Sequence, residues 1–385
     1  MHMQFGKIIM SYKENQIIKN LDIVCVGHYA SRAGTLFIHS LLDNHPQILS
    51  MPGVQNYNEM VKKKINTPEE ALRIFEKNIP KFYDTSTFTE KDYNNCCLFR
   101  LGKNKKDKII TNKKLFETYF FEFFDYNKIS KKNIILGIYY SYGKVHNFNF
   151  DNLKVLLLHP HEKGMTIMFK KIFNNAKFLI SIRHPIKVYK SKTIHNHVMN
   201  KIRNITYYPS SQLLQLTLNL YNFNKNNLNM NFIKFENLKD NLSNEMRKIC
   251  DFTGIKFHKS LLSCSFGGYK YWGNTVTVAS DKFDENRDQN SIKLSKKDII
   301  ILNIINNKIL TKFNYKKNKL SLAEKIFLPL IMLLPLDDEL NFLKKFSLKN
   351  IKIYFKFITF FFPKRIFLMI FVLWDNFTIK EAIKK

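Results

Sequence analysis

The chain has 385 residues, 45% of them hydrophobic, which is enough for a sizeable core and excludes a disordered chain. Its formal charge of +31, from 62 basic and 31 acidic side chains, points by itself to nucleic acid, anionic lipid or a polyanionic ligand, although lysine excess in a chain crowded with Asn, Ile and Phe is equally the mark of a biased composition on a solvated surface. The five cysteines (Cys25, Cys96, Cys97, Cys250 and Cys264) are odd in number and show no CxxC spacing, so they support neither a disulfide framework nor a zinc site, and no metal is expected. The N-terminus carries no apolar run long enough for a secretory signal; a reducing, cytoplasmic setting is expected.

Residues 21–27 form an apolar run ending at a glycine, which predicts a buried strand, and 35–43 switch to a helical period. Residues 45–58 read as loop because Pro46, Pro52 and Gly53 interrupt them. The segment 60–150 has little clear periodicity and reads as helices and loops on the acceptor side. A second buried strand is expected at 153–158, a helix at 164–173, a third strand at 177–182, a long helix through about 210–228, a fourth strand at 231–235 and an amphipathic helix at 242–253. Strands alternating with helices predict an α/β fold, a three-layer parallel sheet with helices on both faces. From about 320 the character changes. Residues 326–335 and 351–374 are strongly apolar, but Lys352, Lys356, Lys364, Arg365 and Pro363 interrupt the second stretch, so no span of ~20 apolar residues exists. The expected organisation is a domain over 1–320 and a C-terminal apolar helical appendage over 321–385. That appendage either packs on the domain or lies in a membrane interface, peripheral to the cytoplasmic face.

In an open parallel sheet, ligands bind beyond the carboxyl ends of the strands, and three strand ends here carry polar clusters. The first is Gly27–Leu36, where small residues let backbone N–H groups converge on an anion and the following helix adds its N-terminal dipole. No Lys precedes Thr35, as an ATP-type phosphate loop would require; Arg32 supplies the cation instead. The second is Arg183, with Ser191 eight residues on in the next helix, a guanidinium and a hydroxyl suited to a phosphate. The third is His159–Lys163, of which His161 is a candidate base and Lys163 a candidate cation. Each cluster alone also fits an ordinary strand-to-helix turn.

Taken together, these segments resemble the sulfotransferase superfamily that uses 3′-phosphoadenosine 5′-phosphosulfate (PAPS). Ser31-Arg32-Ala33-Gly34-Thr35 is similar to the family's 5′-phosphosulfate loop, followed by Leu41-Leu42-Asp43-Asn44-His45-Pro46. Asn175-Ala176-Lys177-Phe178 through Arg183-His184-Pro185 and Ser191 is similar to its 3′-phosphate signature, and 232–238 with 255–257 to a weaker third segment. Ala33, Leu36 and His184 depart from the usual Ser, Thr or Ser, and Asp or Asn. The resemblance spans about residues 20–310 and implies a P-loop NTPase-like sulfotransferase fold with PAPS as donor and PAP as product. It implies donor contacts from Ser31, Arg32, Ala33, Gly34, Thr35, Leu36, Arg183 and Ser191, with Arg32 also catalytic. Trp272 and Asn274 belong to an aromatic loop (267–274) of the kind that closes over the nucleotide. Glu59 is a second base candidate beside His161. The acceptor, a hydroxyl or amine on a glycan, lipid, small molecule or peptide, is not legible. Two other classes compete. A nucleotide kinase is disfavoured by the missing loop lysine. A non-catalytic basic protein on membrane or nucleic acid is supported by the +31 charge and the apolar C-terminus; the dispersed cations match no nucleic-acid motif, so no nucleic-acid partner is expected.

Overall fold

The computed structural model describes residues 2–28, 30, 32–89, 92, 98–160, 165–203, 229–273, 293–316, 321–344 and 351–356, with single positions at 358, 359, 363, 366, 367 and 370. The chain divides into two compact units. The first comprises Met1–His28, Gly34–Ile182 and Asn227–Phe283; the second comprises Tyr29–Ala33, Arg183–Asn226 and Asp284–Lys385.

The first unit is built on a parallel sheet of β1 (Asp22–His28), β2 (Ile48–Ser50), β3 (Val155–Leu158), β4 (Lys177–Ile182) and β5 (Asn229–Lys234) in the order β2-β3-β1-β4-β5. The register pairs Val24 with Leu157, Val26 with Leu179 and Ser181 with Ile233. The apolar runs have this form because both faces are covered. On one face Val24, Val26, Val155, Leu157, Leu179 and Ile233 pack with Ile38, Leu41 and Leu42 of α2 (Thr35–Leu42) and with Met246 and Ile249 of a later helix, Leu242–Thr253. On the other, Cys25 and Ile180 lie toward Tyr57, Tyr139 and Thr166.

The helices of this unit have readable starts. α1 (His2–Asn20) and α3 (Asn58–Lys62) precede α4 (Pro68–Asn78), which Thr67 caps with Pro68 at its first position. Asn112 caps α5 (Lys113–Asp125) and Ser130 caps α6 (Lys131–Val145). α7 (Met165–Ile172) leads into β4. The helix that follows β5 at Phe235–Asp240 and the one at Leu242–Thr253 are separated by Asn241, whose side chain caps the second; Gly254, at φ 83°, ends it.

The expected strands and the amphipathic helix at 242–253 are present, with ends shifted by one or two residues. Two elements differ from the sequence reading. Ile48–Ser50 is a strand inside a stretch read as loop, formed because it finds Val155–Leu157 of β3 as a partner. α1 has no clean apolar stripe but is anchored by Glu14 to Lys144 (2.5 Å) and by Ser11 to Tyr140 (2.9 Å). The expected helix at 210–228 lies outside the described residues.

In the second unit, α8 (Pro185–Arg203) supplies Tyr189 to a core made with Ile300–Ile305 of α9 (Lys296–Ile305), Met332 and Leu336. After α9 the unit continues with α10 (Asn307–Lys312), α11 (Leu322–Ile326), α12 (Leu328–Leu333), α13 (Asp337–Lys344) and α14 (Ile351–Lys356). Lys296 pairs with Glu324 and Lys297 with Asp337, each at 2.8 Å. One side of the apolar tail is therefore packed against α9. The other is exposed: Leu322 (75%), Ile326, Phe327, Leu330, Leu333 and Phe355 (68%) all face solvent. No helix among the described residues is long and apolar enough to cross a membrane.

Candidate active site

In the first unit, β1 lies between β3 and β4, so the strand order reverses at its carboxyl end, the crevice position for a ligand in such sheets. Two glycines shape that end. A Cβ on Gly27 would come within 2.8 Å of Ile180. Gly34 is the N-cap of α2 at φ 101°, and a Cβ there would come within 2.3 Å of the Phe235 ring. The chain thus turns into α2 with backbone alone, and no side chain caps the helix. The N–H groups of Phe37 and Ile38 are taken by the Gly34 carbonyl, while those of Thr35 and Leu36 belong to the first turn, where a helix has no internal partner. Leu36, standing where the family resemblance leads one to expect a hydroxyl, packs instead against a cluster of Leu101, Ile109, Phe266 and Tyr271.

In the second unit, Arg32 stands in the left-handed region at φ 70° and donates from Nε to Ser191 Oγ at 3.3 Å. Arg183 is buried and donates from Nη1 to the Arg32 carbonyl at 3.4 Å. The sequence reading singled out these three residues in two strand-end clusters, Arg32 in one and Arg183 with Ser191 in the other, and the fold brings them together. It also adds Lys192, which the sequence did not single out. Its ammonium is disfavoured first by burial and then by the charge of Arg32, which hold its pKa down to about 8. Its position next to Ser191 was the only available signal. Ala33 is fully buried, so the missing hydroxyl of the usual Ser is replaced by packing. His184 takes over the work of an Asp or Asn: its Nδ1 accepts from Ile186 N at 3.2 Å and caps α8, whose first residue is Pro185.

The remaining candidates fall differently. His161, Lys163, Ser31 and Asn274 lie outside the described residues. Glu59 is on the surface, bonded to Lys63 at 2.6 Å and 3.6 Å from Lys77; those contacts hold its carboxyl below the usual range, which weakens it as a proton acceptor. Trp272 donates from Nε1 to the Gly102 carbonyl at 2.7 Å, and so is committed to the loop at 101–107. His45 receives the Gln47 N–H on Nδ1 and reaches the Lys256 carbonyl from Nε2 at 2.9 Å, a turn-building role. His159, at the end of β3, shares an Nδ1–Nδ1 hydrogen bond of 2.9 Å with His39; burial drives the His39 pKa to about 3, so this ring is neutral. No group of acidic, histidine or cysteine side chains suited to a metal ion occurs among the described residues.

A family model for the sulfotransferase family matches residues 22–259. The chain belongs to the sulfotransferase family. The match runs from β1 to just beyond Leu242–Thr253, and so takes in both strand ends and α8 of this sulfotransferase. Its fold is similar to the sulfotransferase domain from the curacin biosynthetic pathway, at 15% identity over 77% of this chain and 99% of that one, with a TM-score of 0.44. The sulfotransferase domain of the Synechococcus PCC 7002 olefin synthase is 14% identical over 78% of this chain and 97% of that one, with a TM-score of 0.41. Sulfotransferase STF9 from Mycobacterium avium is 10% identical over 77% of each chain, with a TM-score of 0.38. A comparison with curated proteins finds no match.

Proposed function

We propose that this sulfotransferase moves a sulfuryl group from PAPS to a hydroxyl or amine of an acceptor. The observation that carries the reading is the meeting of Arg32, Arg183 and Ser191: Arg32 donates to Ser191 Oγ and Arg183 to the Arg32 carbonyl, so two guanidinium groups and a hydroxyl stand together, with Lys192 near enough to feel the charge of Arg32. A donor with a 3′-phosphate and a 5′-phosphosulfate supplies anions of that kind. Arg183, Ser191 and Lys192 hold the 3′-phosphate. Arg32 holds the phosphosulfate. When the acceptor oxygen or nitrogen bonds to sulfur, the bond from sulfur to the 5′-phosphate oxygen breaks. Arg32 then neutralises the charge that grows on the leaving phosphate. His161 takes the acceptor proton; an imidazole is suited to this near neutral pH, whereas the ion-paired Glu59 is not.

The test is a thermal melt with PAP, with AMP and with ATP. PAP should raise the melting temperature most, because a ligand that binds only the folded state stabilises it by mass action. An equal shift with AMP would remove the 3′-phosphate site from the proposal, and a preference for ATP would favour the kinase reading.

A second feature supports peripheral membrane attachment. The outward apolar side of α11, α12 and α14, with the exposed Lys352 among its residues, has the character of an interfacial surface. Ile326→Glu combined with Leu330→Glu should abolish co-sedimentation with anionic vesicles; if the wild-type chain stays in the supernatant, this attachment is wrong.

A further inference from the structure

Beside the α2 first turn, the first unit carries a rigid platform that the donor reading does not use. Its base is a cluster of Leu98, Leu101, Ile109, Phe266 and Tyr271, against which Leu36 and Phe99 pack. Two backbone segments are tied across it. Leu101 pairs with Asp107, with the Asp107 N–H donating to the Leu101 carbonyl at 3.0 Å. Gly102 N donates to the Lys270 carbonyl at 2.8 Å, and Trp272 Nε1 donates to the Gly102 carbonyl at 2.7 Å. The second segment is itself a short hairpin in which Ser265–Phe266 pairs antiparallel with Tyr269–Lys270. Gly102 cannot be replaced without rebuilding the turn: it stands at φ 77°, and a Cβ would collide with the Asp107 carboxylate.

Cations project from this scaffold. Residues 100–108 and 269–273 hold Arg100, Lys103, Lys105, Lys106, Lys108 and Lys270 against one acid, Asp107, whereas the whole chain has 62 basic to 31 acidic residues. The patch is thus enriched well beyond the background, so lysine-rich composition alone does not account for it. Two of the cations are positioned. Lys270 Nζ lies 3.7 Å and Lys105 Nζ 4.5 Å from the centroid of the Trp272 ring, so one indole orders two ammonium groups that would otherwise repel each other. Lys103, Lys106 and Lys108 are exposed, as is the Tyr269 ring.

We propose that this platform binds the acceptor, and that the acceptor is an anionic saccharide chain bearing carboxylate or sulfate groups. The inference rests on the sulfotransferase reading, in which Leu36 belongs to the donor loop, and the platform packs against that side chain in the first turn of α2. A row of cations over two segments matches charges repeated along a polymer rather than one small anion. The exposed Tyr269 ring offers an apolar face to a sugar ring, and saccharide hydroxyls or amines supply the group that receives sulfur.

The experiment measures binding of a sulfated hexasaccharide containing uronate residues, with a neutral hexasaccharide, an oligo-glutamate peptide and a single-stranded oligonucleotide of equal charge as comparisons. The variant Lys103→Ala/Lys106→Ala/Lys108→Ala changes only exposed side chains, and Lys105→Ala/Lys270→Ala removes the ordered pair. The wild-type chain should bind the sulfated hexasaccharide in preference to all three, with affinity falling as salt rises, and each variant should bind it about tenfold more weakly. PAP binding should be unchanged in the exposed triple variant. If PAP binds but the hexasaccharide is held equally by wild type and both variants, the platform proposal fails while the donor reading stands. Preference for the peptide or the oligonucleotide overturns the saccharide assignment. Failure of PAP itself to bind overturns the donor reading and leaves the saccharide measurement to be judged separately.

Discussion

Asp43 in the first unit and Lys192 in the second are both ionisable groups drawn away from water, and their surroundings treat them in opposite ways. Asp43 is fully enclosed. Burial raises its pKa, and Ser265 Oγ at 2.9 Å, Ser50 Oγ at 3.2 Å and Gly268 N at 3.2 Å all donate to it and oppose that rise. Lys192 has burial against it and Arg32 against it as well. The carboxylate ties three segments of the fold together and has its hydrogen bonds built in. The ammonium stands close enough to the Arg32 guanidinium for that like charge to lower its pKa further. The Asp43 carboxylate thus serves the structure through its own donors, whereas Lys192 and Arg32 stand together where the proposed donor's anions bind.

The largest expected effect that tests this contrast is at Arg32. Arg32→Ala should lower sulfuryl-transfer turnover by about 10²–10³, the loss usual for removing one stabilising donor, with little change in the urea midpoint. Asp43→Ala should do the reverse. Two buried hydroxyls, of Ser50 and Ser265, and the Gly268 N–H lose their acceptor, and a loss of about 3 kcal/mol in urea unfolding is expected. A loss of turnover at unchanged stability in that variant would place Asp43 in the catalytic machinery instead.

Lys192→Met should weaken PAP about tenfold, as the loss of one partly buried charge partner does, yet raise the melting temperature of the unliganded chain. The pH dependence follows from the lowered pKa. Below about 8 the ammonium is charged in both folded and unfolded chains, and its penalty is fully present. Between about 8 and the ordinary lysine range only the folded chain has shed the proton, so stability attributable to Lys192 rises with pH across that window. The variant should flatten that rise; an unchanged pH profile would mean that Lys192 is not the group responsible. The smallest effect is at Glu59. Its exposed pairing with Lys63 predicts that Glu59→Gln leaves turnover unchanged, and a loss comparable to that of Arg32→Ala would restore it as a base.

Much of the fold was legible in the residues. The runs at 21–27, 153–158 and 177–182 are uniformly apolar because parallel strands are buried on both sides, and that property survives without knowledge of their neighbours. Ile48–Ser50 was not legible. Flanked by Pro46 and Pro52, it has the local chemistry of a loop and becomes a strand only through the register it shares with Val155–Leu157. The departure at His184 was visible as a substitution, but its harmlessness was not: an imidazole nitrogen can cap a helix as an Asx oxygen does only if the ring is turned toward the Ile186 N–H.

The sequence by itself determined the family, the succession of buried strands and the identities of Arg32, Arg183 and Ser191, because strand-end position and residue chemistry are local properties. Tertiary structure decided which charges meet. Arg32 and Ser191 are 159 residues apart in the chain and 3.3 Å apart in space. Lys192 acquires its lowered pKa only from the burial and the Arg32 charge that this approach creates. Trp272, which in sequence read as a lid residue over the nucleotide, is tied to Gly102 and flanked by Lys105 and Lys270 because the chain returns there after more than 160 residues. Electrostatic energy depends on distance in space and on the surrounding medium, and neither is a property of a residue's place along the chain.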